Sequence, residues 1–268
     1  MAKKLKEMGM KLKRLRQLFS IPRSSFYYSG KPESDRFLKE KIREIAFAYP
    51  FYGYRRIHIE LKKQGISVNL KKVYLLYRKM SLQRPKRIKA KKKAAISFPA
   101  VKASHPFEIW ALDFFFTRLR SGRAIKVLAV IDEFTKFAFP PLVGYSTTGD
   151  DVADHLEALT KRYLLPSYIR SDNGPEFISK SLAQCLKKLR IKHIRIQKGK
   201  PFQNGVAESF IGKFRDECLA GYEYKNLKEA KSAIEHCFRF YNEERPHSAL
   251  AYRTPSEFCS KLGLSYRV

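Results

Sequence analysis

The sequence predicts an α/β domain with a mixed sheet flanked by helices, preceded by an all-α region of the helix-turn-helix type. Apolar residues recur at helical spacing up to residue 80. From Ile109 onward, short and nearly continuous apolar runs come first, and helical and strand-like patterns then alternate. A length of 268 residues with 44% hydrophobic content is enough for one large domain and a smaller one.

Composition and spacing divide the chain into four parts. They are a basic helical segment (residues 1–30), a helix-turn-helix-like region (31–83), a basic linker (84–106) and the α/β domain with a helical tail (107–268). The linker assignment rests on its prolines, its lysine run and the absence of any apolar periodicity.

The charge of the chain predicts a polyanionic partner. Its 55 Lys and Arg against 25 Asp and Glu leave a net charge of +30. Residues 1–103 hold 29 basic and 6 acidic side chains, a net +23, whereas the remainder holds 26 and 19, a net +7. We therefore expect the N-terminal part to contribute most of the binding to nucleic acid.

Other classes of protein fit the sequence less well. No apolar stretch approaches the roughly 18 to 20 residues that span a bilayer, and the basic N-terminus lacks a secretory apolar core. The four cysteines are widely spaced without a CxxC pair, which indicates reduced thiols rather than a zinc site or a disulfide framework. A soluble cytoplasmic protein is predicted.

The N-terminal region is predicted to be helical throughout. Its first helix has apolar residues at Leu5, Met8, Leu12, Leu15 and Leu18. Residues 35–50 and 54–65 repeat the helical pattern and stop at Pro50 and Gly65, two residue types that end helices.

A fourth helix, residues 70–80, is expected to begin after an Asn69 cap and to bury Val73, Leu76 and Met80. Its outward basic side chains, the expected DNA contacts, are Lys71, Lys72, Arg78 and Lys79. A tight turn followed by a basic helix indicates a helix-turn-helix. A small helical bundle with a solvated charged face is the alternative that the charge alone leaves open.

The α/β domain is predicted to begin with three strands and then to alternate. The strands lie in residues 109–119, 124–132, 136–146, 166–172 and 191–197, and the helices in 149–164, 176–189, 206–219 and from Leu227 to Tyr241. The helix at 149–164 has acids in its first turn, where the helix dipole favours them. This order predicts a mixed sheet covered by helices.

Three acidic residues stand out in this architecture. Asp113 lies inside an apolar strand, Asp172 ends a short strand in "RSDNGPEF", and Glu208 lies in a helix 35 intervening residues later. Taken singly, a turn-forming Asp, a solvated helix residue and an outward strand residue explain them. Gathered at one sheet edge, the carboxylates would repel by roughly 4 kcal/mol per pair, so only a divalent cation makes the cluster sensible.

The combined motifs resemble a known family. The W-x-x-D at Trp110 to Asp113, "SDNGPEF" at 171–177 and Glu208 in "NGVAESF" resemble the DDE integrase core of retroviral integrases and bacterial transposases. The tail "YNEERPHSALAYRTPSEF" and the upstream "YGYRRIHIELKKQG" resemble IS3-family insertion-sequence transposases of the OrfB-like kind. The resemblance spans nearly the whole chain.

This resemblance implies an RNase H-like fold, with Asp113, Asp172 and Glu208 as catalytic residues and ligands of two Mg²⁺ or Mn²⁺ ions. Relatives place a basic residue one turn after the Glu, where this chain has Gly212. The basic residues expected to contact phosphates around the catalytic helix are Lys198, Lys200, Lys213 and Arg215. The retroviral zinc module has no counterpart, because no cysteine precedes Cys185.

Several neighbouring residues are given structural rather than chemical roles. Asn173 and Gly174 are expected to shape the turn that orients Asp172, and Asn204 to cap the helix of Glu208. Asp132 is interpreted as a hairpin-turn residue, and Glu176 as a first-turn helix residue. No chemistry is assigned to His193 or His247, because the proposed reaction needs no imidazole base.

The function implied is a DNA transposase that cuts and joins phosphodiesters at insertion-sequence ends with divalent metal. Its partners would be double-stranded DNA of the element ends and target, further copies of the chain on that DNA, and an upstream-frame segment, within the bacterial cytoplasm and nucleoid. A catalytically silent DNA-binding regulator or transposase remnant is the alternative. An RNase H-type nuclease would share the chemistry but does not predict the tail.

Overall fold

The computed structural model of the chain describes residues 8–20, 22, 32–83, 102–197, 201–219 and 222–264. The chain divides into two compact units, Met1–Arg84 and Pro85–Val268. Leu5 of the first predicted helix and residues 84–101 of the predicted linker lie outside the described residues.

The first unit is helical, as predicted. Its helices are α1 (Leu12–Phe19), α2 (Pro32–Ala48), α3 (Tyr54–Lys63) and α4 (Leu70–Lys79). The buried apolar side chains that form its core are Leu38, Ile42, Ile45, Ile57, Leu61, Val73, Leu76 and Tyr77. They recur at three- and four-residue spacing, so each helix places one apolar face in the core.

The caps of these helices follow from local sequence. The Asn69 side chain accepts a hydrogen bond from the Lys71 amide at 2.8 Å, which confirms the predicted cap of α4. The chain leaves α3 through Gly65, whose φ of +77° is the left-handed conformation that glycine adopts without strain. The turn between α3 and α4 is therefore short and well defined.

The second unit contains a five-stranded mixed sheet. Its strands are β1 (Ile109–Arg118), β2 (Ala124–Asp132), β3 (Leu142–Gly144), β4 (Tyr168–Ser171) and β5 (Lys192–Arg195). The spatial order is β3-β2-β1-β4-β5. The pairs β1–β2 and β2–β3 are antiparallel, and β1–β4 and β4–β5 are parallel. The predicted mixed sheet is confirmed.

Helices cover both faces of this sheet. They are α5 (Gly149–Arg162), α6 (Lys180–Leu189), α7 (Gly205–Phe214), α8 (Leu227–Glu243) and α9 (Pro255–Lys261). One buried cluster joins Trp110, Leu112, Leu128 and Val130 to α5 and α6. The other joins Phe115, Val127, Ala129 and Ile131 to α7 and α8. Because both faces are covered, β1 and β2 have continuous apolar sequences.

The largest differences from the prediction in the second unit concern two element boundaries, a helix end and the tail. The run 136–146 forms a strand only at β3, because Pro140 and Pro141 cannot donate to a ladder. Helix α6 begins four residues later than predicted, since Ser179 caps it. After Phe214 the last helix turn widens into a π turn, Arg215–Leu219. The tail contains a helix, α9, which the prediction left as turns.

Polar side chains bond the tail to other segments of the second unit. Asn242 accepts from the Ala138 amide at 2.9 Å and donates to the Ala138 carbonyl at 2.7 Å. Arg245 makes a two-point ion pair with Glu217, at 2.5 and 2.6 Å. Much of the "YNEERPHSAL" motif therefore has a structural role.

Among the helices of the described ranges, none is both long and apolar enough to cross a membrane.

Candidate active site

Asp113 lies in the middle of β1, opposite Ala129 of β2. Side chains alternate along a strand, so it shares a face with Phe115 and with the core under α7. Its Oδ1 accepts a hydrogen bond from the Phe114 amide at 2.8 Å. The apolar neighbours that made this carboxylate conspicuous in the sequence partly bury it.

Asp172 follows β4 directly, at the carboxyl end of that strand. The parallel pairing of β1 and β4 ends at Ala111 and Arg170. Two residues further along each chain are Asp113 and Asp172, on the same face of the sheet. The register therefore brings these two carboxylates to one sheet edge, where open α/β sheets place their ligands.

The turn after Asp172 is stabilised by its own polar groups. The Gly174 amide donates to Asp172 Oδ1 at 3.0 Å, and Asn173 Nδ2 donates to the Ile196 carbonyl at 2.7 Å. A Cβ on Gly174 would lie 3.2 Å from Asp172 Oδ1 and 3.3 Å from Glu176 Oε2. Close approach of this backbone to two carboxylates favours glycine here.

An ion pair between Glu176 and Lys126 also restrains this loop. Lys126 belongs to β2, and its Nζ lies 4.1 Å from the centroid of the Phe114 ring. Phe177 stacks on Phe114 at 5.0 Å. Glu176 therefore belongs to the loop, not to the first turn of α6 as predicted. The sequence offered no local signal for its partner, which is 50 residues away.

Glu208 lies in the first turn of α7. Asn204 precedes this helix, but its side chain makes no capping hydrogen bond, contrary to the prediction. Its Nδ2 instead donates to the carbonyl of Leu112 at 3.0 Å. The start of the Glu208 helix is thus bonded to the residue before Asp113.

The electrostatics of Asp113 show that the three carboxylates interact. The pKa of Asp113 is raised to about 6, mainly by burial and in part by the charges of Asp172 and Glu208. The Phe114 amide and, more weakly, the charge of Arg215 act in the opposite direction on that pKa. The charges of Asp172 and Glu208 therefore both raise the pKa of Asp113.

These carboxylates have the donor chemistry that Mg²⁺ and Mn²⁺ prefer. Within the described ranges, however, no three His, Cys, Asp or Glu side chains are already arranged as a metal site. The carboxylates repel one another without converging as ligands. Among the described residues, hydrogen bonds use only Oδ1 of Asp113 and of Asp172. Oδ2 of each accepts no hydrogen bond from these residues.

Two polar residues near the sheet have structural partners. His193 Nε2 lies 2.8 Å from Ser171 Oγ, and that hydroxyl donates to the Asp172 carbonyl. Burial and the charge of Arg195 lower the pKa of His193 to about 4, so its ring is neutral at pH 7. This bond supports the strand end just before Asp172.

Asp132 and His247 likewise make structural contacts. Asp132 accepts from the Phe107 amide at 3.0 Å and from the Thr135 amide at 2.7 Å. These bonds shape the turn after β2, as interpreted from the sequence. His247 Nε2 lies 3.3 Å from the Tyr241 carbonyl, within the tail.

The predicted DNA contacts lie in both units. Lys71, Arg78 and Lys79 are exposed on α4, and Lys72 pairs with Asp35 at 2.7 Å. Lys213 is exposed on α7 and Arg215 on the π turn that follows. Lys198 and Lys200 lie outside the described residues.

Family models match most of the chain. An HTH-like domain model matches residues 32–90. Two integrase core domain models match residues 103–201 and 189–255. Together, the two integrase core matches cover all five strands and the three acidic residues.

Named relatives match over similar lengths. A 31.7 kDa protein of insertion element IS407 from Burkholderia multivorans is 37% identical over 91% of this chain and 89% of its own length. The putative transposase of IS150 from Escherichia coli is 29% identical over 89% of both chains. Among solved structures, the catalytic core of BIV integrase matches 59% of this chain and 96% of its own, with 20% identity and a TM-score of 0.46.

Proposed function

The chain belongs to the IS3 family of insertion-sequence transposases and is a DNA transposase, and from this premise we propose that Asp113, Asp172 and Glu208 form its catalytic site. The reaction would be DDE-type polynucleotidyl transfer: cleavage at the element end, then joining of the freed strand to target DNA. The integrase core family typically uses a divalent metal. Mg²⁺ or Mn²⁺, as a pair of ions, is proposed for this chain.

The observation that carries the proposal is the register of β1 and β4, which brings Asp113 and Asp172 to one sheet edge. The raised pKa of Asp113 supports it. Burial accounts for most of the rise, and like charges on Asp172 and Glu208 add to it. Holding three like charges close together lowers the stability of the folded protein, because the charges repel one another. Perturbed carboxylates of this kind concentrate at functional sites.

The donor set suits the proposed metal. Asp113 and Asp172 would each offer Oδ2, while backbone amides hold their Oδ1 atoms and thereby fix the carboxylate planes. Glu208 would add a third carboxylate from α7. When bound, such ions activate a hydroxyl nucleophile and stabilise charge at the attacked phosphate.

The protein's own residues would orient the reacting groups. In cleavage, water adds to phosphorus and the 3′-oxygen leaves as a hydroxyl; in joining, that 3′-hydroxyl adds to a target phosphodiester and displaces another 3′-oxygen. No covalent bond to the protein is needed. Arg215, whose charge acts weakly on the pKa of Asp113, is proposed to bind a phosphate next to the carboxylates.

DNA binding is proposed to be shared between the two units. Residues 1–103 have the larger net charge, +23 against +7 for the remainder, and include the exposed α4 residues Lys71, Arg78 and Lys79. Lys213 and Arg215 would contact phosphates near the scissile bond, together with Lys198 and Lys200. We further propose that copies of the chain assemble on DNA and that an upstream-frame segment takes part.

Glu208→Gln tests the catalytic assignment. It keeps the size of the side chain but removes the charge, so we expect Mg²⁺-dependent cleavage of terminal DNA to fall at least about a thousandfold. Affinity for that DNA, measured by mobility shift, should stay within about twofold of wild type, because Glu208 is not a phosphate contact.

The matched control is Glu223→Gln, a change at an exposed acid of the same unit whose only close cation is Arg120 at 3.9 Å. This control should cleave like wild type. Equal cleavage by the Glu208 and Glu223 variants would contradict the assignment. A wild-type protein that binds terminal DNA but never cuts it would favour a silent DNA-binding regulator.

A further inference from the structure

We propose that Asn204 is a positioning residue that sets the separation between Asp113 and Glu208 and so tunes the affinity of the site for divalent metal. The inference rests on the proposed function, because it takes these carboxylates as the metal ligands. Asn204 would touch neither metal nor DNA and would act through the backbone beside both carboxylates.

The contacts of Asn204 link the two carboxylate-bearing elements directly. Its side chain is 2% exposed, and Nδ2 donates to the Leu112 carbonyl at 3.0 Å. Leu112 precedes Asp113 on β1, and Asn204 lies four residues before Glu208, about one helical turn. One hydrogen bond therefore connects the backbone next to one carboxylate with the base of the helix that carries the other.

This bond lies where β4 stops pairing with β1, while β2 continues to pair with β1 on the other side. The pairing of β1 with β4 ends at Ala111 and Arg170, one residue before Leu112. Asp113 and Asp172 lie just beyond that point. The Asn204 amide adds a restraint at the first position of β1 that β4 no longer pairs.

Stability alone does not account for an asparagine at this position. Its Oδ1 is buried and accepts no hydrogen bond from the described residues, and its side chain does not cap α7. A buried acceptor without a donor lowers stability. Asn242, the other buried asparagine of this unit, uses both of its amide atoms on Ala138. Within the described part of the chain, the donor of the Asn204 amide therefore has a partner and its oxygen has none, which favours a role for the donor.

Small displacements matter at such a site. Groups that orient metal ligands without binding the metal typically change metal affinity about 10- to 100-fold when they are replaced. Removing the Asn204 donor would leave apolar packing to hold the start of α7 against β1 without this hydrogen bond, and would let Glu208 shift relative to Asp113. We therefore expect weaker metal binding without any change in the number of carboxylates.

The test compares Asn204→Ala with Asn242→Ala in the full chain without DNA. Thermal unfolding is followed while MgCl₂ is raised at constant ionic strength, which reports metal binding independently of turnover. Asn204→Ala should need at least about tenfold more Mg²⁺ for half of the full shift in midpoint temperature. Asn242→Ala should lose midpoint temperature but keep the wild-type Mg²⁺ dependence.

The outcomes separate the inference from the proposed function. Equal Mg²⁺ dependence in Asn204→Ala and wild type would overturn the inference alone. A wild-type protein with no Mg²⁺-dependent shift would overturn the metal site, and the inference with it. If Asn204→Ala does not fold, Asn204→Ser, which keeps a smaller polar group, takes its place. Failure of both variants to fold would show a purely structural role and overturn the inference.

Discussion

The second unit holds buried acids in two different settings. In the first setting an arginine pairs with the acid. Glu217 of the π turn pairs with Arg245 of the tail at 2.5 Å, and Glu133, just after β2, pairs with Arg170 of β4 at 2.6 Å. At the sheet edge, Asp113 has two other acids as its charged neighbours, and Arg215 offsets them only weakly. An acid paired with arginine indicates a structural role, whereas acids that repel one another support the proposed cation site.

This contrast explains two motifs that look equally informative in the sequence. "SDNGPEF" places one of the repelling acids at a strand end and fixes its turn. "YNEERPHSAL" supplies Arg245 and Asn242, which satisfy buried partners elsewhere in the same unit. The first motif is a candidate for chemistry and the second for packing, although both are family signatures.

Removing a cation from a paired acid should have the largest effect on stability. Arg245→Met leaves Glu217 in place without its two-point partner, in a pair whose side chains are 3% and 12% exposed. We expect the free energy of unfolding to fall by about 3 to 5 kcal/mol, as measured by urea denaturation.

The double variant Arg245→Met with Glu217→Gln is the control. It removes both charges, so it should recover much of the lost stability. A single variant as stable as wild type would show that pairing does not distinguish the tail from the sheet edge.

Removing a repelling acid should act in the opposite direction. The pKa of Asp113 is raised from 3.8 to about 6, so the folded protein binds this proton more tightly than the unfolded chain. The contribution of Asp113 to stability is therefore fully present below pH 4 and is lost as pH rises through 6. Without metal at pH 7, Asp113→Asn should be more stable than wild type by up to about 3 kcal/mol.

Urea denaturation at pH 4 and at pH 7 checks this sign. The advantage of Asp113→Asn should shrink toward zero at pH 4, and Mg²⁺ should reduce it at pH 7 by stabilising wild type. Glu223→Gln, a change at an exposed acid that is not among the charges raising the pKa of Asp113, serves as the control. A variant less stable than wild type at pH 7 would contradict mutual repulsion at the sheet edge.

The Lys126–Glu176 pair lies between these two settings and should have the smallest effect. It is half-buried, with side chains 13% and 18% exposed, and it holds the loop of Asp172. Glu176→Gln should lower stability by about 1 kcal/mol and cleavage by about three- to tenfold, because Asp172 is less well fixed.

A charge swap, Lys126→Glu with Glu176→Lys, sharpens that prediction. If the pair acts by fixing the loop, the swap should recover cleavage relative to either single reversal. Equal losses in the single and double variants would show that the pair does not position Asp172.

Much of this organisation could be predicted from the sequence, for identifiable reasons. The strands β1 and β2 were predictable because both of their faces are buried and their sequences are continuously apolar. The Asn69 cap was predictable because it depends on a side chain and an amide two residues apart. Asp113, Asp172 and Glu208 could be proposed only together, because an ordinary structural role explains each acid singly and the combined motifs alone resemble the DDE integrase core.

The contacts that the sequence did not reveal are those between distant segments. Asn204 was expected to cap its own helix, yet it bonds to Leu112, 92 residues away. The partner of Glu176 is likewise in another strand. Such pairs depend on sheet register and on how helices lie over the sheet, which no local pattern specifies. The α9 helix is different, because Thr254, Pro255 and Glu257 form a local capping motif from which this helix could be predicted.

The central claim is that the charges of Asp172 and Glu208 raise the pKa of Asp113. Carboxyl-carbon NMR of the metal-free protein, recorded as a pH titration of Asp113 in wild type, Asp172→Asn and Glu208→Gln, measures this directly. The account predicts an Asp113 pKa of about 6 in wild type, lowered in both variants and left unchanged in Glu223→Gln. An Asp113 pKa that is the same in all four proteins would contradict it.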